Sequence, residues 1–308
     1  MHIGLTGASG FIGRAFTAAA TAAGHMVTGF SRHPQAGWRR LAETDFSGLD
    51  AVVHLAGENV FGLWTRGRKR NIRESRVDLT RRLVEAMTTL PKPPRILVAA
   101  SGVAWYGDRG DEELDESSGL GAGFLAEVVR DWEMETARAA SFARCVSVRF
   151  GMVLGAGGGG WPKLQRIFHS GLGGRLGAGR QWMAWIHLTD AARLLLHCIE
   201  SELSGPVNGV APEQLRNADF TKLLARMLHR PACLPAPTWA LKLLPGGMGR
   251  LFLDSTRVHP RRALEDGFQF TFPTLSAAVH ALLNPSPSRS ASSANADARE
   301  TDGADKQE

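Results

Sequence analysis

The chain has 308 residues, 44% of them hydrophobic and 21% charged, the balance of a globular protein with room for one large domain and a smaller companion. No apolar run approaches the roughly 18 residues of a membrane span, and no basic leader precedes the first apolar segment, so a soluble, cytoplasmic protein is expected. The net charge is +6, and because the segment from Pro285 holds three basic and five acidic residues the rest stands near +8; the basic residues are scattered, though, and an anionic small ligand or a solvated face explains them better than nucleic acid.

The first thirteen residues read MHIGLTGASGFIG. A short apolar run (Ile3, Leu5) ends in Thr6-Gly7, glycines follow at 7, 10 and 13, and an Ala-rich segment comes next. Strand, glycine turn and helix N-terminus in this order make a phosphate-binding device, because backbone N–H groups and the helix dipole point at one spot. Gly7, Gly10, Phe11, Ile12 and Gly13 are therefore candidate dinucleotide contacts. The helix is expected over 14–23, stopped by Gly24, and a second strand over 25–30. At the end of that strand, where an acidic residue would take the ribose 2′-OH of NAD, stand Ser31 and Arg32. A hydroxyl and a guanidinium suit a 2′-phosphate, so the expected cofactor is NADP(H).

A third buried-type strand spans 49–55 and runs into Ala56-Gly57-Glu58, small residues that let backbone lie against a ligand. His54 inside this run reads as a satisfied core histidine. One long helix is expected over 66–90, then a strand over 95–100 that delivers Ser101 and Tyr106, an acidic loop over 108–116, and a helix over 124–140. A strand over 146–150 leads to a glycine cluster (Gly155, Gly157 to Gly160), expected to be mobile or beside a ligand. Residues 163–168 read as a short helix, 181–187 as a short strand, and Thr189-Asp190 as the cap of a helix over 191–200. Helices are expected over 217–228, 238–244, 251–258, 262–267 and 275–283, and disorder from Pro285.

The alternation of strand and helix predicts an α/β fold with a doubly wound parallel sheet, the Rossmann architecture. Its dinucleotide-binding domain is placed at 1–207, with 151–186 contributing to a substrate cleft. A smaller, mostly helical substrate domain is placed at 208–284. Cys145, Cys198 and Cys233 are far apart and odd in number, which predicts reduced thiols and no zinc or other metal framework.

The words TGASGFIG (6–13), SR (31–32), LAGE (55–58), SRV (75–77), FLAEVVRDWE (124–133), VRFGMVLG (148–155), GLGGRLGAGRQWMAWIH (171–187) and NGVAPE (208–213) resemble an extended short-chain dehydrogenase/reductase of the NAD-dependent epimerase/dehydratase superfamily. More narrowly, they resemble its atypical "epimerase family protein" branch, which carries a small C-terminal domain of unknown function. The resemblance covers residues 1 to about 283. It implies that Leu55, Ala56, Asn71, Arg76 and Val153 also line the NADP site. It further implies that Trp182, Trp185 and His187 line the substrate cleft, and that a homodimer forms through the helices at 66–90 and 124–140.

The resemblance also exposes a departure. Relatives of this type use a Tyr and a Lys one helical turn apart to move a proton, and here those places hold Leu125 and Val129. Ser101 remains, and Tyr106 is the single tyrosine of the chain, with Gly110 where a lysine partner would stand. Ser101 and Tyr106 are thus the candidate catalytic residues, with Glu58 and Glu127 as other acids. Two functions follow from these observations. One is an NADPH-dependent oxidoreductase or epimerase-like enzyme acting on a small carbonyl or sugar-nucleotide-like substrate. The other is a non-catalytic NADPH-binding protein with a regulatory or redox-sensing role.

Overall fold

A computed structural model describes residues 1–31, 38–40 and 45–284. Arg32 and the segment from Pro285 lie outside these residues. The first half alternates strand and helix: β1 (His2–Thr6), α1 (Phe11–Ala22), β2 (Met26–Ser31), β3 (Arg39–Arg40), β4 (Ala51–His54), α2 (Arg66–Glu74), α3 (Val77–Thr88), β5 (Ile96–Gly102), β6 (Glu113–Leu114), α4 (Phe124–Ala137) and β7 (Arg144–Phe150). The second half is more broken: β8 (Met152–Gly155), β9 (Gly158–Gly159), α5 (Trp161–His169), β10 (Trp182–Met183), β11 (Trp185–His187), α6 (Leu188–Glu200), β12 (Gly205–Gly209), β13 (Leu215–Arg216), α7 (Asn217–Met227), α8 (Thr238–Lys242), α9 (Arg250–Leu253), β14 (Arg257–Val258), α10 (Arg261–Glu265) and α11 (Leu275–Leu283).

Seven strands form one parallel sheet in the order β12-β7-β5-β4-β1-β2-β3. The order reverses between β1 and β4, so a crevice opens at their carboxyl ends, where ligands bind in such sheets. Apolar residues fill both faces, as a parallel sheet requires. Ile3, Leu5, Val53, Val98 and Val148 pack with Phe16 of α1 and Leu194 and Leu195 of α6. Phe30, Val52 and Leu97 pack on the other face with Leu83, Val84 and Met87 of α3. A second core joins Trp161, Phe168 and Trp185 to Phe220 and Leu224 of α7 and Leu275 and Val279 of α11. Ala263 of α10 and Phe268 lie in the main core instead. Packing therefore crosses the boundary expected at 207/208.

Several local expectations are corrected. The helix expected over 66–90 is two helices, broken at Ser75-Arg76. The strand expected over 181–187 splits at Ala184: Trp182–Met183 pairs antiparallel with β13, and Trp185–His187 pairs parallel with β8. The cap of α6 is the His187 side chain, whose Nδ1 accepts from Thr189 N at 3.2 Å. Asp190 sits inside the first turn and accepts from Thr271 N and Phe272 N, both at 2.8 Å. Helix α9 ends at Leu253, because the acidic loop takes the next residues: Ser255 N donates to Asp108 Oδ1 and Ser255 Oγ to the Gly110 carbonyl. Among the described residues no helix is long and apolar enough to cross a membrane.

Candidate functional site

Thr6 ends β1 and Gly7 turns the chain with φ +73°, a conformation that favours glycine. Gly10 N donates to the Gly7 carbonyl at 2.8 Å. A Cβ at Gly13 would collide with that same carbonyl oxygen. Gly10 then caps α1 with no side-chain hydrogen bond, and no acidic residue stands in the first turn. The first N–H groups of α1 and its positive dipole end are thus left for an external anion. The glycine cluster finds its reason here. A Cβ at Gly155, Gly158 or Gly159 would lie 2.6 to 2.8 Å from the Phe11 ring, so the β8–β9 hairpin is a cradle for Phe11 and holds the start of α1 in place. Ile12 packs on the main core, and Val153 stands in that core on β8.

In front of this turn lies a groove of about 750 Å³, within the usual range for cofactor sites. Gly7, Ser9, Gly10 and Ser31 line it on one side; Leu55, Ala56, Gly57 and Glu58 form its middle; Asn71, Ser75, Asp78, Leu79 and Arg82 close it. Ser31 Oγ and Ser9 Oγ are 3.2 Å apart, and Arg14 Nη1 donates to the Ser9 carbonyl at 2.5 Å. The α2–α3 break has a function in this wall. Ser75 Oγ donates to Ile72 O at 3.1 Å and accepts from Glu58 N at 3.0 Å, which ties the break to the strand-end loop. Of the two expected contacts on this segment, Asn71 lines the groove and Arg76 does not.

Arg76 does not line the groove but packs against Gly57, which does. Its guanidinium lies under Gly57, 3.5 to 3.7 Å from where a Cβ would stand, and 5.3 Å from the Trp132 ring centroid. Its protein hydrogen bonds are long, to Ile72 O at 3.3 Å and Ser75 Oγ at 3.4 Å. Burial pushes it down to about 10, against an opposing pull from the Glu58 carboxylate. Glu58 is itself held by Arg68, whose Nη1 donates to Glu58 Oε1 at 2.8 Å. Among the described residues no carboxylate lies within salt-bridge distance of Arg76. A buried guanidinium so weakly compensated is built for an anionic partner.

The two candidate catalytic residues are placed elsewhere. Tyr106 is 0% exposed. Its hydroxyl donates to Asn208 Oδ1 at 2.8 Å and accepts from Arg149 Nη1 at 3.1 Å. Burial pushes the phenol up, with Arg149 opposing. Ser101 Oγ donates to Glu133 Oε1 at 2.6 Å. Glu133 in turn accepts a fork from Arg149, Nε to Oε1 and Nη2 to Oε2, both at 2.8 Å. Arg149 stacks on Trp105 at 4.0 Å. Asn208 continues the chain by donating to His259 O at 2.8 Å and, from its backbone, to Glu116 Oε1 at 2.9 Å. Both hydroxyls are thus spent in a buried lock that joins β5, α4, β7 and β12. Both candidate hydroxyls are therefore engaged by protein partners in this arrangement. A Cβ at Gly102, the last residue of β5, would lie 3.9 Å from Ala104 N, Phe150 O and Val129 Cγ2, and Val129 itself is buried. Glu127 is exposed.

The model of the NAD dependent epimerase/dehydratase family matches residues 3–210. The chain belongs to this family. A second model, a domain of unknown function (DUF1731), matches residues 236–282. The human epimerase family protein SDR39U1 is 37% identical over 292 residues, 92% of this chain and 100% of its own length. The epimerase family protein YfhF of Bacillus subtilis is 32% identical over 298 residues, 92% and 98%. The crystal structure of human SDR39U1 (isoform 2) with NADPH matches with a TM-score of 0.87 at 36% identity, covering 93% of this chain and 100% of that one. A nucleoside-diphosphate sugar epimerase from Corynebacterium glutamicum matches with a TM-score of 0.77 at 35% identity, covering 92% of this chain and 58% of that one.

The aromatic residues expected in the substrate cleft of this family member are otherwise engaged. Trp182 has guanidinium groups over its ring, Arg216 at 4.6 Å and Arg257 at 4.7 Å, and its Nε1 donates to Asp111 Oδ1 at 2.9 Å. Trp185 is buried in the second core. His187 caps α6 and packs on Phe272 at 4.1 Å; burial lowers its pKa, with Asp190 opposing. The groove residues that the sequence reading missed are Ser9, Phe30, Glu74, Ser75, Asp78, Leu79 and Arg82. One signal for the last four was present: the apolar positions slip from Ile72 to Val77, a spacing of five that a continuous helix does not support. Among the described residues no cluster of His, Cys, Asp or Glu could hold a metal ion.

Proposed function

We propose that this chain binds NADP(H) in the groove and works as an NADPH-dependent oxidoreductase on a small carbonyl or sugar-nucleotide-like substrate. The observation that carries the reading is the groove in front of the glycine turn and the uncapped start of α1, lined by Ser9, Ser31 and Gly57, with the weakly compensated Arg76 packed against Gly57. The glycine turn and α1 hold the pyrophosphate, and Ser31 and Ser9, with Arg32, hold the 2′-phosphate. The human relative solved with NADPH supports the same choice of cofactor. NADP(H), when bound, supplies or accepts hydride at its nicotinamide ring. Ser101 and Tyr106 orient the carbonyl, and Glu58, lining the groove next to Gly57, is a further acid for the proton.

A second reading rests on the residues of α4. With Leu125 and Val129 where a Tyr and a Lys would stand, the chain binds NADPH for regulation or redox sensing without turnover. Loss of the reduced-nicotinamide absorbance over a panel of carbonyl substrates separates the two. Under the first reading at least one substrate is turned over, and Glu58→Gln slows it at least tenfold. Tight NADPH binding with no turnover on any panel member favours the second.

A further inference from the structure

The groove carries an uneven set of charges. Three carboxylates line it, from Glu58, Glu74 and Asp78, and among the described residues Arg82 is its one basic lining residue. Taken alone the lining is net negative, the wrong sign for a ligand that carries a pyrophosphate. The carboxylates are answered by arginines that do not line the groove. Arg68 Nη1 lies 2.8 Å from Glu58 Oε1, Arg70 Nε 3.6 Å from Glu74 Oε1, and Arg81 Nη1 3.0 Å from Asp78 Oδ1. Arg82 is left over. It is exposed, and among the described residues it has no carboxylate within salt-bridge distance and no hydrogen-bond partner.

The fold places this guanidinium at one end of the groove. Asp78 and Leu79 stand four and three residues before Arg82, so the three share the face of α3 that borders the groove. The next residue, Leu83, is buried in the apolar cluster that also holds Phe30. Phe30 and Ser31 end β2, and both line the groove. Arg82 therefore belongs to the β2 end, where the adenosine ribose sits in sheets of this kind. Its planar fork matches a phosphate, and with every wall carboxylate already paired it gives the groove a net positive charge. The pyrophosphate has the start of α1, which leaves the 2′-phosphate as the partner of Arg82.

We infer that Arg82 is a specificity-determining residue for NADP(H), which contacts the 2′-phosphate from α3 while Arg32 does so from the end of β2. The inference rests on the reading of the groove as an NADP(H) site, and it adds to that site a second cation on a separate element.

Calorimetric titration of the full chain tests it with NADPH and NADH, and with adenosine 2′,5′-bisphosphate and 5′-AMP as the matching fragments. Arg82→Met should weaken NADPH and adenosine 2′,5′-bisphosphate by about tenfold, and leave NADH and 5′-AMP within about twofold of the parent. Lys92→Met removes an exposed cation beyond the end of α3 and should match the parent with all four. Because Arg82 is exposed and unpaired, its variant folds like the parent, which a thermal melt on the same preparation checks. An Arg82→Met variant that keeps its affinity for NADPH overturns the inference. So does one that weakens NADPH and NADH alike, since Arg82 would then touch a part common to both. A parent chain that binds NADPH no better than NADH overturns the cofactor reading instead, and is seen before any variant is made.

Discussion

Replacing Arg76 by Met separates the cost of the buried charge from its use. Burial holds the guanidinium at about 10, well below its ordinary value above 12, and at about 1.4 kcal/mol per pKa unit this corresponds to about 3 kcal/mol spent on keeping it charged. Methionine fills similar length without that cost. Against it, the variant loses the Trp132 contact at 5.3 Å, worth about 1 kcal/mol, and two long hydrogen bonds, together about 1 kcal/mol. Cofactor-free Arg76→Met should therefore be more stable than the parent by about 1 kcal/mol, a rise in Tm of about 2–4 °C. NADPH affinity should move the opposite way. Losing a desolvated charge partner costs about 2 kcal/mol, roughly thirtyfold in Kd. Differential scanning calorimetry and NADPH titration on the same preparation read both. A variant that is less stable yet keeps its NADPH affinity refutes the reasoning, because Arg76 would then be a structural cation.

Glu133→Gln breaks the buried pair with Arg149 and should destabilise the fold by about 3–5 kcal/mol in urea unfolding, while Glu133→Leu with Arg149→Met recovers most of it; equal loss in both variants would place the effect in packing. His54 is fully buried, its Nδ1 is 2.6 Å from Thr6 Oγ1, and burial holds it down at about 4. The unfolded chain takes up this proton first, so its contribution is complete above pH 6.5 and is lost as pH falls from 6.5 towards 4, by about 3 kcal/mol. His54→Asn should lack this share, and the stability gap between parent and variant should narrow over that window; a gap independent of pH would show that His54 is charged or exposed in the fold.

The sheet and one end of the groove were legible because they depend on neighbours in sequence. The TGASGFIG turn carries much of its own geometry, since Gly10 and Gly13 are required by the Gly7 carbonyl a few residues away and Gly7 by its φ of +73°. Ser31 reports its place as the last residue of β2. The α2–α3 break was written in the slip from Ile72 to Val77 but is masked by good helix formers on both sides. The buried lock was not legible. Ser101, Tyr106, Glu133, Arg149 and Asn208 are spread over five elements, and a hydroxyl at a strand end reads the same whether it faces substrate or a carboxylate. Trp182 misled for a related reason: the guanidinium groups over its ring come from Arg216 and Arg257, beyond the dinucleotide-binding half. The glycine cluster at 155–160 pointed to a special backbone, but only the fold shows that its partner is Phe11.

The central claim is that the groove is an NADP(H) site whose 2′-phosphate end lies at Ser31 and Arg32. Calorimetric titration of the full chain with NADPH and with NADH tests it directly. NADPH should bind at least tenfold more tightly than NADH, and Arg32→Ala should remove most of that difference while leaving NADH affinity nearly unchanged. Equal affinities for the two dinucleotides, or an Arg32→Ala variant that weakens both alike, would contradict it.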